Sequence, residues 1–242
     1  MTKLLELDQV FKRFGGIVAS NGLTFDVRKG EALALLGPNG AGKTTIFSLI
    51  MGELRQNSGT IRFNGEEISR LPTHERIKRG ISRTYQVPRP FSEMDVAGNI
   101  RVGMMPDSIW KMIAEGPDFE AERALARSVG FRDGDLERLP STLSMGDLRK
   151  LELARTLATR PEIMLLDEVF AGLTVGEIAQ ISELLAAKRA EGMTLIIVSH
   201  DLRALEPLVD RAVAMTFGKA IAEGSFAEVM GDQAVRAAYL GH

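Results

Sequence analysis

Three short apolar runs, Ala32 to Leu36, Ile163 to Leu166 and Leu195 to Val198, stand out from a chain of otherwise mixed polarity. They are bounded by Gly, Asp or His and followed by helix-compatible sequence, the pattern of strands buried on both faces of a parallel sheet. The first fifth of the chain reads differently. Leu4 to Val10 and Leu23 to Val27 alternate apolar with polar positions, and Gly15-Gly16 and Lys29-Gly30 supply turns, which predicts antiparallel hairpins beside the main sheet. Between about Phe91 and Arg160 strand signals vanish, and Asp118 to Val129 has helical apolar spacing with an Asp placed to cap its amino end. Alternation then resumes with a helix over Glu177 to Ala190, strands over Thr194 to Val198 and Ala212 to Thr216, and an amphipathic stretch from Asp232 to Leu240. No repeat, linker or low-complexity tract divides the chain. The expectation is one α/β domain over 1–242, with 1–90 and 161–242 as its core and 91–160 as an inserted helical lobe.

Composition narrows the field without redirecting it. Over 242 residues, 45% are hydrophobic and 26% charged, so disordered, collagen-like and coiled-coil classes fit poorly. Thirty basic against 32 acidic side chains leave a formal charge of −2, too little field to gather nucleic acid or anionic lipid; no nucleic-acid partner is expected, and any anion site must be local. With no Cys, disulfides, thiolate metal sites and cysteine catalysis are excluded. The apolar runs fall far short of the ~20 residues that span a bilayer. Met1 to Asp8 scatters charges among its apolar residues, which predicts a strand rather than a signal-peptide core. Work at a membrane would need something other than these runs to hold the chain there.

Gly37-Pro38-Asn39-Gly40-Ala41-Gly42-Lys43-Thr44 fits G-x-x-x-x-G-K-[ST] and lies between the strand Ala32 to Leu36 and an apolar helix over Thr45 to Met51. Polyphosphate is densely charged, so binding it takes several inward-pointing backbone N–H groups, and glycines let the main chain curl that closely. Helix-start amides add partial positive charge. Lys43 reaches the outer phosphates in such a cradle, and the Thr44 hydroxyl can ligate a magnesium ion bridging them. A second site is expected where Ile163 to Leu166 ends in the adjacent acids Asp167 and Glu168, one for magnesium and one for water. His200, in Ser199-His200-Asp201, could hydrogen-bond a phosphate oxygen or the attacking water.

Taken together, Gly37 to Thr44, Gln86, Leu143-Ser144-Met145-Gly146-Asp147, Leu165-Leu166-Asp167-Glu168 and His200 resemble the ATP-binding subunits of ABC transporters in identity, order and spacing, over essentially the whole chain. The resemblance implies a P-loop NTPase core with a mainly parallel sheet, an antiparallel amino-terminal β part and a helical lobe. It implies that MgATP is held by Lys43, Thr44, Thr45 and the cradle amides, with Asp167 and Gln86 completing the magnesium environment. It implies Glu168 as the residue polarising water, His200 as the γ-phosphate contact and Gln86 as the sensor of magnesium and nucleotide. Ser144 and Gly146 would bind the γ-phosphate of the ATP held by a second ATPase subunit, of the same or a different chain. Phe14 would stack on adenine, with Phe11 as its rival.

Stretch Gly80 to Gln86, followed by Arg89-Pro90-Phe91-Ser92-Glu93-Met94, and the ending Ala238-Tyr239-Leu240-Gly241 are similar to ATPases of branched-chain amino-acid importers. That implies a subunit on the cytoplasmic face of the inner membrane, held by permease subunits and served indirectly by an extracytoplasmic solute-binding protein. The sequence departs from the family at Met145 and Asp147 in the signature loop, at Val169 after Glu168, and at Thr174. These changes bear on rate and on coupling between two sites, and they keep open an ATP-gated regulator or soluble ABC protein with weak or no turnover. A soluble repair or translation factor would need long coiled-coil insertions or two cassettes, and a small-molecule kinase would make Gln86, Ser144 and His200 coincidences.

Overall fold

The computed structural model describes residues 2–105 and 116–240. Two long strands, β1 (Lys3–Phe14) and β2 (Ile17–Arg28), form the expected antiparallel hairpin, which continues through β4 (Ser58–Phe63) and β5 (Glu66–Glu67) into a four-stranded sheet of order β2-β1-β4-β5. The second sheet has six strands in the order β10-β9-β3-β8-β7-β6. Its centre is β3 (Ala32–Leu36), β8 (Thr194–Val198) and β7 (Ile163–Asp167), flanked by β6 (Ile81–Arg83) and β9 (Arg211–Thr216). All of these pair in parallel, and β10 (Lys219–Gly224) closes one edge antiparallel to β9. The apolar runs are therefore the central strands, and each lies buried along its whole length.

The strand period of two divides these runs between two cores. Leu33, Leu35, Ile163, Leu165, Ile196 and Val198 face the antiparallel sheet and helix α1 (Lys43–Met51). Ala32, Ala34, Leu36, Met164, Leu166, Leu195 and Ile197 face the other way. That second core also takes in Val96, Ala97 and Ile100 of α3 (Val96–Met104), Ala126 of α4 (Phe119–Ser128) and Leu151, Leu153, Ala154 and Leu157 of α5 (Met145–Ala158). The helical segment thus shares one continuous core with the sheet, and among its described residues it contains no strand; 106–115 lie outside the description. Its helices start where the sequence supplies caps: Asp95 accepts from the Gly98 amide, Asp118 from Ala121 and Ser144 from Asp147.

Several elements had no clear sequence signal. Strands β4, β5, β6 and β10 and helix α2 (Thr73–Lys78) are short, and α2 is capped at its start by no side chain. Its Arg76 is buried and donates to the carbonyls of Leu49 at 2.7 Å and Ile50 at 2.8 Å, filling acceptors at the end of α1. Burial without a carboxylate partner pulls that guanidinium down to about 10. After β7 come α6 (Val175–Ala190), the single turn α7 (Leu202–Leu205), α8 (Phe226–Gly231) and α9 (Gln233–Leu240). Gly241 of the carboxy-terminal resemblance lies outside the described residues.

Candidate functional site

The loop between β3 and α1 is shaped by sterics as much as by hydrogen bonds. Gly37 has φ 151°, and a Cβ there would lie 2.2 Å from the Met215 carbonyl oxygen; Gly42 has φ 106°, and a Cβ there would lie 2.3 Å from the Ala19 oxygen. Side chains are thus excluded where the loop is wedged between the end of β9 and the β1–β2 hairpin. Gly42 is the N-cap of α1 and no side chain caps it, which leaves the first-turn amides to a ligand. Lys43 folds back over the loop, donating to Gly37 O at 2.6 Å and Pro38 O at 3.1 Å. Burial lowers the pKa of this ammonium, while Glu168 and Asp167 oppose the shift.

A cleft of about 260 Å³ opens over this loop. Its walls bring together most of the predicted set: Asn39, Gly40, Ala41, Gly42, Lys43, Thr44, Thr45, Gln86, Asp167, Glu168 and His200. These residues are distant in sequence, and it is the parallel pairing of β3, β8 and β7 that carries the loops at their carboxyl ends to one side of the sheet. Gly37, packed against Met215 and Ala41, does not line the cleft. Phe14, Ser144 and Gly146 do not line the cleft. Phe14 ends β1 partly exposed, with the Lys12 ammonium 4.9 Å above its ring, and pairs in register with Ile17. The hairpin side of the cleft is instead Ile17, Val18 and Ala19.

The two acids are held differently. Glu168 adopts φ 52°, a left-handed conformation that costs a non-glycine residue about 1–3 kcal/mol. Its amide donates to Val198 O at 2.9 Å; its carboxylate accepts the His200 amide at 3.2 Å and lies 3.3 Å from His200 Nε2. The tight turn aims this buried carboxylate into the cleft next to His200. Asp167 is fixed from behind: its amide donates to Thr84 Oγ1 at 3.2 Å, and its Oδ2 accepts Arg83 Nη2 at 2.7 Å. Thr44 hydroxyl, Asp167 carboxylate and Gln86 amide are oxygen donors suited to a hard cation. Among the described residues no three His, Cys, Asp or Glu gather into a cage. That donor set fits magnesium shared between a carboxylate and substrate phosphates.

Gln86 is tied to the signature helix through its backbone. Arg149 of α5, buried, donates to the carbonyls of Tyr85, at 2.6 Å, and Gln86, while Glu152 accepts the Tyr85 amide at 2.7 Å. At the start of α5, Ser144 accepts from Asp147 N at 3.1 Å. Gly146 is pressed against Glu177, whose Oε1 would lie 1.8 Å from any Cβ there. The unusual residues find local roles. Asp147 is offset by Lys150 at 3.5 Å and Arg138 at 3.9 Å, Val169 is buried in the core, and Thr174 forms a capping box with Glu177 at the start of α6.

A second cavity, of about 350 Å³, lies where α1, α2, β6, α3 and α5 meet, with Ile77, Arg83, Tyr85, Arg89, Val102 and Arg155 in its walls. Arg155 donates to Arg89 O at 2.6 Å and its guanidinium stands 4.6 Å from the Phe91 ring centre. Sequence reasoning found no role for Arg83, Thr84, Arg149 or the cleft's Ile17 to Ala19. It also missed Tyr239 of α9, whose hydroxyl accepts the Gly37 amide at 2.8 Å.

Comparison with known proteins agrees with this geometry. The family described as ABC transporter matches residues 20–171, more than half the chain, and a family described as branched-chain amino acid ATP-binding cassette transporter matches 221–242. The high-affinity branched-chain amino acid transport ATP-binding proteins LivG of Escherichia coli K12 and BraF of Pseudomonas aeruginosa are each 34% identical, covering 98% of this chain and 98% of their own length. The lipopolysaccharide export system ATP-binding protein LptB of Acidithiobacillus ferridurans is also 34% identical, over 100% of this chain and 98% of its own. Among solved structures, a nucleotide-free ATP-binding cassette from an ABC transporter superposes with TM-score 0.88 at 28% identity, and an ADP conformation of such a cassette with 0.87 at 28%, each covering 100% of both chains. The chain belongs to the ABC transporter family, as an ATP-hydrolysing, ATP-binding subunit.

Proposed function

We propose that this chain powers solute import through a membrane permease, with amino acids or related small polar or aromatic acids as cargo. The observation that carries the import reading is the match of residues 221–242 to the branched-chain amino acid cassette family, beside relatives named for that transport; LptB, equally similar overall, is named for export. None of the cleft residues recognises the cargo, so its choice falls to the permease and a solute-binding protein.

In this reading ATP enters with its adenine against the Phe14 and Ile17 to Ala19 hairpin and its phosphates over the amides that open α1. Lys43 leaves the carbonyls of Gly37 and Pro38 for the outer phosphates, trading neutral acceptors for charged ones. Thr44, Asp167 and Gln86 would hold magnesium, which neutralises charge on the β- and γ-oxygens. Glu168 takes the proton of a water in line with the γ-phosphate. His200, beside it, steadies the γ-oxygens. Ser144, exposed outside the cleft, would meet the nucleotide of a second subunit placed head to tail, with Gly146 coming into reach as Glu177 moves off it, so two copies or two related chains would complete two sites.

The groove between Arg83 and Arg155 suits a cytoplasmic helix of the permease, since its walls mix apolar Met51, Ile77 and Val102 with the arginines Arg83, Arg89 and Arg155. Arg149 ties Gln86, at the cleft, to α5, which walls that groove, so closure of the pair is felt by the permease. No helix among the described residues is long and apolar enough to cross a membrane, and permease subunits would hold the chain at the cytoplasmic face. Reconstitution of the chain with its permease in proteoliposomes tests the reading. ATP-dependent accumulation of a branched-chain amino acid presented with the binding protein is the expected result; ATP-driven export alone, or turnover uncoupled from any cargo, contradicts it.

A further inference from the structure

Arg83 connects the two cavities: it lines the groove and it grips Asp167, which lines the cleft. It ends β6, in register with Leu165 of β7, so its side chain leaves the sheet edge beside the acids that end β7. Only 4% of that side chain is exposed. One guanidinium nitrogen donates to Asp167 Oδ2 at 2.7 Å; the other donates to Glu53 Oε2 and Ser48 Oγ, both at 2.9 Å. Phe47 and Tyr85 rings flank it at 5.6 and 5.1 Å, and its buried Nε has no hydrogen-bond partner. Glu53 in turn accepts the hydroxyl of Tyr85, in the groove wall, at 2.8 Å.

One cation is therefore divided between two carboxylates that report to different cavities. A divalent cation at Asp167 competes with the guanidinium for the same oxygens and repels it at close range. The Nε without a partner and the second acceptor set give the guanidinium somewhere to go: it loosens from Asp167 and leans on Glu53 and Ser48. A stronger Arg83–Glu53 contact weakens the hold of Glu53 on Tyr85, next in the chain to Gln86. We propose that Arg83 is a positioning residue that limits how strongly Asp167 accepts magnesium and passes cation arrival to the groove wall through Glu53 and Tyr85. By linkage, whatever fixes Tyr85 in the groove changes magnesium affinity by the same factor. The inference rests on the magnesium reading above.

The test is calorimetric titration of ADP into the full-length chain with and without magnesium, the ratio of the two affinities being the magnesium contribution. Arg83→Met removes the competitor, and the ratio is expected to rise about tenfold, the worth of one hydrogen bond to a charged group. Glu53→Gln leaves Arg83 wholly to Asp167, and the ratio is expected to fall about threefold, by part of the same contact. Because Arg83→Met strands two carboxylates and could unfold the chain, Glu53→Gln stands as an independent test. Tyr85→Phe changes no charge and releases Glu53 to Arg83; a rise of about twofold is expected, a fraction of one hydrogen bond to a charged group. A wild-type ratio of one would overturn the magnesium reading and this inference together. A wild-type ratio above one, with shifts absent or of the same sign in the Arg83 and Glu53 variants, would overturn this inference alone, and an unmoved Tyr85→Phe would overturn the link to the groove.

Discussion

In the cleft, the main chain does the shaping: Gly37 and Gly42 hold dihedrals closed to other residues, Glu168 is forced to φ 52°, and no side chain caps α1. In the groove beside it, shape comes from long side chains, with Arg83, Arg89 and Arg155 laid over Tyr85 and Phe91 rings. A backbone-built site presents fixed dipoles and tolerates little change, as suits a ligand that never varies. Walls of arginine and aromatic side chains can repack around a partner, and such residues are what protein interfaces enrich. The difference suggests that damage in the cleft abolishes chemistry, whereas damage in the groove uncouples it.

The largest expected effect is on the cleft side. Glu168→Gln should slow phosphate release by ~10²–10⁴-fold, the usual contribution of a positioned general base, while nucleotide binding survives. Near-normal turnover would assign the base elsewhere. Lys43→Ala should weaken ATP binding by about 10–100-fold through loss of a charge-assisted contact, read by calorimetry. Unchanged affinity would mean that the amides alone hold the phosphates. On the groove side, Arg155→Ala should leave turnover of the isolated chain within about twofold yet cut the rate of the permease complex by about tenfold, the scale of one interface arginine. Equal losses in both assays would erase the distinction between the two regions. Smallest is Tyr239→Phe, which frees the Gly37 amide and should weaken nucleotide binding by roughly three- to tenfold, the range of one hydrogen bond, with kcat nearly unchanged. A fall in kcat at constant KM would place Tyr239 in the chemistry instead of in loop shape.

The same contrast explains what the sequence disclosed. Backbone requirements leave local marks, so the spacing of Gly37, Gly40, Gly42 and Lys43 was readable at once, as were strands whose every position is apolar. The cap at Asp118 was equally visible, because an N-cap acts within three residues. Contacts across large separations leave none. Arg83 meets Asp167 and Glu53 only because β6 is placed beside β7, and Tyr239 reaches Gly37 only because α9 returns to the loop. Strand β6 itself spans three residues and carries Ser and Arg, too short and too polar for a period to show. The charge of Asp147 likewise finds one of its partners only in the fold, where Arg138 stands 3.9 Å away. Phe14 shows the limit of reading by position: it stands exposed beside Lys12 next to the cleft, and the hairpin residues that line the cleft, Ile17 to Ala19, carried no mark in the sequence.

The central claim is that this cleft grips the triphosphate of MgATP and directs Glu168 at it. A crystal structure of the Glu168→Gln protein with MgATP tests that most directly. The account predicts Lys43 withdrawn from the Gly37 and Pro38 carbonyls onto the outer phosphates, with Thr44 and Asp167 at the metal and residue 168 within reach of the γ-phosphate. A triphosphate seated away from the α1 amides, or Lys43 still parked on those carbonyls, would contradict it.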